Sequence, residues 1–165
     1  MKEEITFSNF RKEHGLELVK LWRKSFAKAM GIEEDTREEA VNEHLAYLQT
    51  YDPEIIRVAL EKNKSKIVGF MAKEESTIKD LFIHVDYQRR GLGSSFIQQA
   101  KEEETFLTLS TFQLNKGAQK FYEFHDFVIA RRGFAGAEGN AWASNKEQLA
   151  DITYEWKRVT KIEKD

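Results

Sequence analysis

The stretch Leu81-Phe82-Ile83-His84-Val85-Asp86-Tyr87-Gln88-Arg89-Arg90-Gly91-Leu92-Gly93-Ser94 passes from an apolar run, through a charged turn, into a helical pattern. Leu81-Phe82-Ile83 is apolar on both faces of an extended chain, as a central strand requires, and the run predicts a strand over 78–85. Leu92, Phe96, Ile97 and Ala100 then recur at helical spacing. Gly91 and Gly93 at this strand-to-helix junction let consecutive backbone N–H groups turn inward with no Cβ in the way, where the helix dipole is positive. Arg89 and Arg90 add charge, and an arginine can engage two oxygens of a phosphate at once. The junction therefore suits a pyrophosphate. Two familiar phosphate loops do not fit it. The dinucleotide fingerprint needs a third glycine where Phe96 stands, and the P-loop needs Gly-Lys-Ser/Thr, which is absent.

Outward from this junction the pattern is regular. A short strand over 5–10 opens the chain. Leu18, Trp22, Phe26 and Met30, with Val19 beside them, form an amphipathic stripe that Gly31 ends. Thr36-Arg37-Glu38-Glu39 has the spacing of a capping box ahead of a second helix carrying Val41, Leu45 and Leu48, and Tyr51-Asp52-Pro53 stops that helix. Runs at 55–60 and 67–72, separated by the polar turn 61–66, read as an antiparallel hairpin leading to the strand at 78–85. Beyond the glycine junction a strand is predicted at 106–109, and a helix marked by Ala118, Phe121 and Tyr122 follows. A strand at 127–130 and a last one at 152–159 flank an irregular stretch from Arg131 to Asp151. The order β-αα-βββ-α-β-α-ββ predicts an α/β fold, a mixed and mostly antiparallel sheet flanked by helices.

The chain has 165 residues, 41% of them apolar and 33% charged, with 26 Lys plus Arg against 28 Asp plus Glu. That balance argues against disorder and gives no block of positive charge for nucleic acid. With no cysteine there is no disulfide, thiolate metal site or cysteine nucleophile. No spacing of His and carboxylate argues for a metal. No signal-length apolar run or membrane-length segment occurs, and no linker or repeat divides the chain. These features lead us to expect a single soluble cytoplasmic domain over 1–165, without membrane or nucleic-acid partners.

The junction closely resembles the acetyl-CoA loop of the Gcn5-related N-acetyltransferases, the GNAT superfamily, whose pattern is Gln/Arg-x-x-Gly-x-Gly/Ala after a strand. A second segment, Asn115-Lys116-Gly117-Ala118-Gln119-Lys120-Phe121-Tyr122-Glu123-Phe124-His125-Asp126-Phe127, resembles that superfamily's Asn-x-x-Ala-x-x-Phe-Tyr-x-x-x-Gly-Phe. The two motifs stand in the family order, and the element order matches the GNAT fold over nearly the whole chain. The sequence departs from the pattern at Val85, where proline is common, and at Asp126, where glycine is common. Asp tolerates a left-handed backbone better than most residues, so Asp126 is expected to substitute for glycine there.

The resemblance implies acetyl-CoA as cosubstrate. It places the pantetheine arm along the strand ending at Ile83 and Val85, and the pyrophosphate in Gln88, Arg89, Arg90, Gly91, Leu92, Gly93 and Ser94. It also places Asn115 and Tyr122 at the cofactor. A phenol is protonated at neutral pH, which makes Tyr122 the expected proton donor to the departing thiolate. The spacing of Asn115 and Tyr122, seven residues, is expected to bring both to one side of the helix. No carboxylate or histidine occurs between Phe106 and Asn115. Asp80 and Glu75 are the remaining nearby carboxylates, Asp80 being the candidate base, with a water relay as the alternative. His84 is expected to be an exposed strand-end residue.

The resemblance further implies an N-acetyltransferase that transfers acetyl directly to a primary amine of a small molecule or peptide. A non-catalytic acyl-CoA-binding sensor or interaction module is the alternative. The acceptor would lie near 22–41 and 131–151. The acidic residues from Glu33 to Glu39 either attract a cationic amine or serve the helix dipole and cap, the second being the favoured reading. The identity of the acceptor and the oligomeric state, a homodimer among the options, are not readable from the sequence.

Overall fold

A computed structural model describes residues 4–63 and 65–159. Its elements are β1 (Ile5–Asn9), α1 (Gly15–Met30), α2 (Glu38–Leu48), β2 (Ile56–Glu61), β3 (Lys66–Glu74), β4 (Thr77–Ile83), α3 (Leu92–Glu103), β5 (Phe106–Phe112), α4 (Lys116–Phe124), β6 (Val128–Phe134) and β7 (Ala150–Lys157). This is the predicted order. The strands form a seven-stranded mixed sheet in the order β1-β2-β3-β4-β5-β7-β6. The pairs β1/β2, β2/β3, β5/β7 and β6/β7 run antiparallel, and β4/β5 is parallel at Thr77 and Thr108.

The chain divides into two compact units, the first built on α1, α2, β1–β3, β4 from Ile78 and the segment to Phe96. Its core joins Leu18, Val19 and Trp22 of α1 to Leu48 of α2 and to Ile56, Val58, Ile67 and Phe70 of the hairpin. Fully burying one such side chain is worth about 1.5–3 kcal/mol, so the stripe predicted from Leu18 to Met30 is the main reason α1 docks where it does. Gly31 ends α1 as expected, in the left-handed region at φ 68° with its N–H bonded to the last turn. The second unit comprises Glu75–Thr77, α3 from Ile97, β5–β7 and α4. Leu107, Leu109, Phe127, Ile152 and Tyr154 are buried there.

Several boundaries differ from expectation. The capping box at Thr36 does not form: α2 starts at Glu38 with Arg37 as its N-cap residue, and no side chain caps it. Asp35 takes that organising role, its Oδ1 accepting from the Arg37 backbone N at 3.1 Å and from Arg37 Nε at 2.9 Å. β4 stops at Ile83, and Val85–Tyr87 is a 3-10 turn held by His84, whose Nδ1 accepts from Asp86 N at 3.1 Å. His84 is half-buried and structural, not an exposed strand end. Glu61, placed in a polar turn by sequence, is instead the buried last residue of β2. In the second unit β6 runs on to Phe134 and β7 begins at Ala150, because the two pair antiparallel through residues of the stretch that looked irregular.

Candidate functional site

The loop after β4 has an uncommon backbone. Arg89 and Gly91 both lie at positive φ, 64° and 86°, and bracket Arg90. Residues in this region disfavour side chains, and a run of such turns makes a concavity lined by N–H groups. A Cβ built on Gly91 meets no atom within 4 Å, so the glycine is required by its dihedral angle and the approach to it is open. α3 starts at the next residue, with Ser95 N bonded to Gly91 O at 3.0 Å. Leu92 is buried and anchors the helix, while Gln88, Arg89 and Arg90 are exposed and Gly93 and Ser94 half-buried. The Arg90 guanidinium stands 4.9 Å from the centre of the Tyr87 ring. The Ile83 carbonyl accepts from Ser25 Oγ of α1 at 2.7 Å and from Gln88 Nε2 at 2.9 Å. Val85 lies in the 3-10 turn, so the extended edge expected to reach Val85 ends two residues earlier.

The same unit holds a cluster of shifted groups. Ile78, Asp80 and Phe82 alternate onto one face of β4, and Phe82 stacks on Trp22 of α1 with ring centres 5.7 Å apart. Tyr51, just past α2, donates its O–H to Asp80 Oδ2 at 2.6 Å. Burial pushes the Asp80 carboxyl up to about 6, against the Tyr51 hydrogen bond and the Lys79 charge, which both pull it down. Burial and Asp80 together raise the Tyr51 phenol. Asp80 is thus ionised at neutral pH yet close to its titration point, the state suited to accepting a proton. Glu75 sits in an exposed turn at φ 53°.

Beside it, Arg23 of α1 reaches the Asp35 carbonyl at 2.8 Å and the His44 Nδ1 at 3.4 Å. Its buried Nε has no hydrogen-bond partner. Burial, and secondarily the Arg23 charge, hold His44 down at about 4, and its ring packs against Trp22 at 4.3 Å. None of these pairings carries a sequence signal, since 29 residues separate Tyr51 from Asp80 and 21 separate Arg23 from His44. A polar Ser25 inside an apolar helix stripe was the one legible hint that something in the fold needed a hydroxyl there.

In the second unit, Asn115 is the N-cap of α4: its Oδ1 accepts from Ala118 N at 3.0 Å. Asn115 therefore stands at the boundary of the helix, its backbone carbonyl accepting the first i+4 bond, from Gln119 N at 3.3 Å. With the carbonyl oxygen used by the cap, the amide NH2 is the end that can donate to a ligand. Tyr122 is 8% exposed and packs its ring against Phe121 at 5.2 Å and Phe127 at 5.6 Å. Asp126 adopts φ 68°, the left-handed conformation expected of the residue that replaces glycine after α4. Among the described residues no group of three or more His, Asp or Glu could hold a metal, and no helix is long and apolar enough to cross a membrane.

A family model described as the acetyltransferase (GNAT) domain matches residues 52–129, a span that includes the loop and α4. Residues 52–129 belong to the GNAT family. The fold is shared far beyond that span. The solution structure of apo-form YjaB from Escherichia coli superposes with a TM-score of 0.72 at 22% identity, covering 94% of this chain and 99% of that one. Ard1 from Thermoplasma volcanium gives 0.64 at 18% identity, with 94% and 99% covered. PaiA N-acetyltransferase from Thermoplasma acidophilum, in complex with coenzyme A, gives 0.62 at 16%, with 93% and 99% covered. No curated protein sequence gives a significant match. The GNAT assignment supports a role in acetyl transfer.

Proposed function

We propose that the chain is an N-acetyltransferase acting as one domain over 1–165, using acetyl-CoA and transferring its acetyl group directly to a primary amine. The observation that carries this reading is the loop itself: two left-handed residues and two exposed arginines at the start of a helix, inside the span that matches the GNAT model. The coenzyme A complex of PaiA supports the choice of donor.

Acetyl-CoA supplies an electrophilic thioester carbonyl and a thiolate leaving group. The chain's part is to bind, orient and move protons. Arg89, Arg90 and the backbone through Gly91, Leu92, Gly93 and Ser94 hold the pyrophosphate, and the helix dipole of α3 favours its charge. Ile83 and Val85 flank the pantetheine arm. The Ile83 carbonyl is already paired with Ser25 and Gln88, and the exposed Gln88 amide is the donor a pantetheine N–H replaces. The NH2 end of Asn115 donates to the donor substrate. Asp80, directly or through water, takes the proton lost by the amine as its nitrogen forms the bond to the acetyl carbon. Tyr122 gives its phenolic proton to sulfur as the carbon–sulfur bond breaks, so that the products are an acetylated amine and the free thiol.

The test is thiol release from acetyl-CoA across polyamines, amino acids, aminoglycosides and peptides with free N-termini, with the acetylated product identified by mass. Tyr122→Phe keeps the ring and should lower turnover by about 10² to 10⁴ with little change in acetyl-CoA affinity. Turnover within about threefold of wild type would remove Tyr122 from the chemistry.

A further inference from the structure

The first unit buries a carboxylate whose place in the fold points at the phosphate loop. Glu61 is 3% exposed at the end of β2, paired in register with Lys66 across the hairpin. A buried carboxylate is costly unless charges and hydrogen bonds compensate it. Tyr87, 7% exposed, donates its phenolic O–H to Glu61 Oε2. Tyr87 closes the 3-10 turn that leads into the loop, and its ring carries two cations: the Arg90 guanidinium at 4.9 Å and the Lys66 ammonium at 5.3 Å from the ring centre. The His84 ring meets it edge-on at 5.4 Å. One aromatic ring thus connects a buried acid to an arginine of the loop.

The physics of that connection is cooperative. A carboxylate accepting the phenol proton fixes the ring and enriches its π face, which strengthens its attraction for a cation. An arginine already resting on that face has less side-chain freedom to lose when it meets a phosphate. We infer that Glu61 is a positioning residue for the phosphate loop, acting through Tyr87 to preset Arg90 for the pyrophosphate of the acyl donor. This rests on the reading of the loop given under Proposed function. It adds a residue outside the loop motif, and it separates binding of the nucleotide end from binding of the acetyl-pantetheine end.

The experiment is calorimetric titration of the full chain with acetyl-CoA and with S-acetylpantetheine, which lacks the pyrophosphate. Glu61→Gln keeps the shape and loses the charge, and Tyr87→Phe keeps the ring and loses the O–H. Each should weaken acetyl-CoA by about tenfold while leaving S-acetylpantetheine within about twofold. In an Arg90→Gln background Glu61→Gln should add nothing, because the route to phosphate is already cut. Should Glu61→Gln fail to fold, Tyr87→Phe carries the same comparison. Equal weakening of both ligands, or an undiminished Glu61→Gln effect without Arg90, overturns the inference by showing a general structural role. Wild-type affinity in both variants overturns it too, while the loop reading stands. A wild-type chain that fails to bind acetyl-CoA overturns the loop reading and the inference together.

Discussion

The loop from Gln88 to Ser94 and the cluster of Arg23, His44, Tyr51 and Asp80 meet opposite physical demands. The loop is exposed, contiguous in sequence and defined by backbone angles, with φ of 64° at Arg89 and 86° at Gly91. The cluster draws its members from α1, α2, the turn after it and β4, and its character comes from burial, which moves Asp80 up to about 6 and His44 down to about 4. An exposed loop with two arginines at the start of a helix can hold a charged ligand by charge and hydrogen bonding alone. A group that must give or take protons near neutrality needs the partly dry surroundings of the second region. Binding in one region and proton handling in the other is the division the molecule suggests.

The largest expected effect falls on that division. Asp80→Asn should reduce turnover by about 10² to 10⁴ while acetyl-CoA affinity stays within about twofold. Stability should not fall with it. At neutral pH the native state holds an Asp80 charge that its surroundings disfavour, so the neutral amide should raise the unfolding free energy, by at most about 3 kcal/mol. Chemical denaturation beside the kinetics checks both, and a large stability loss would make Asp80 a structural residue.

Gly91→Val should act on the other side. A β-branched residue at φ 86° is strained, and the loop must distort to relieve it. The variant should keep its circular dichroism spectrum and lose the acetyl-CoA-induced rise in Tm, which for wild type at a hundred times Kd corresponds to about 2.7 kcal/mol. An undiminished shift would move the donor site elsewhere.

A smaller effect sharpens the comparison through pH. Asp80 titrates near 6 in the folded chain against an ordinary 3.8, so the native state holds an extra proton between those values and stability falls as pH rises through them. His44 titrates near 4 against an ordinary 6.5, so the unfolded chain holds the extra proton and stability falls as pH drops through that window. The two slopes oppose each other over nearly the same range. Wild-type stability should therefore be flatter between about pH 4 and 6 than that of Asp80→Asn. The variant should lose stability on acidification through His44 together with His84 and His125, both also held below the ordinary histidine value by burial. Denaturant midpoints at several pH values decide it, and a variant as flat as wild type would show that the two groups are not opposed.

How far the sequence could be read follows the same contrast. The loop was legible because glycines and arginines at adjacent positions state a backbone requirement directly, and Asp126 was legible because the family pattern wanted a left-handed residue there. Gly31 after the apolar stripe marks the end of α1 to the residue. The spacing at Thr36 suggests a capping box that does not form, because Asp35, one position earlier, accepts from the Arg37 backbone N–H and also pairs with the Arg37 side chain. Polar neighbours in sequence place Glu61 in a turn, whereas the structure buries it and bonds it to Tyr87, 26 residues away. The Asp80 environment was hidden for the same reason: burial is a property of packing, which a strand pattern announces only for apolar residues.

The smallest effect concerns the acidic stretch before α2. Arg37 holds the Asp35 carboxyl at about 2 through a side-chain and a backbone hydrogen bond, so much of its charge is already answered within the chain. Asp35→Ala should lower Tm slightly and leave the ratio of KM for charged and neutral amines unchanged. A selective loss of affinity for polycationic amines, shrinking with salt, would instead make this stretch an acceptor-recruiting surface.

The most direct test of the division is amine-dependent release of coenzyme A measured against acetyl-CoA concentration for wild type, Gly91→Val and Asp80→Asn. The account predicts saturable release by wild type, a Gly91→Val curve displaced to higher donor concentration, and an Asp80→Asn curve that saturates at the wild-type concentration with a far lower plateau. Binding of acetyl-CoA without release on any amine would contradict it and leave a coenzyme A-binding module in its place.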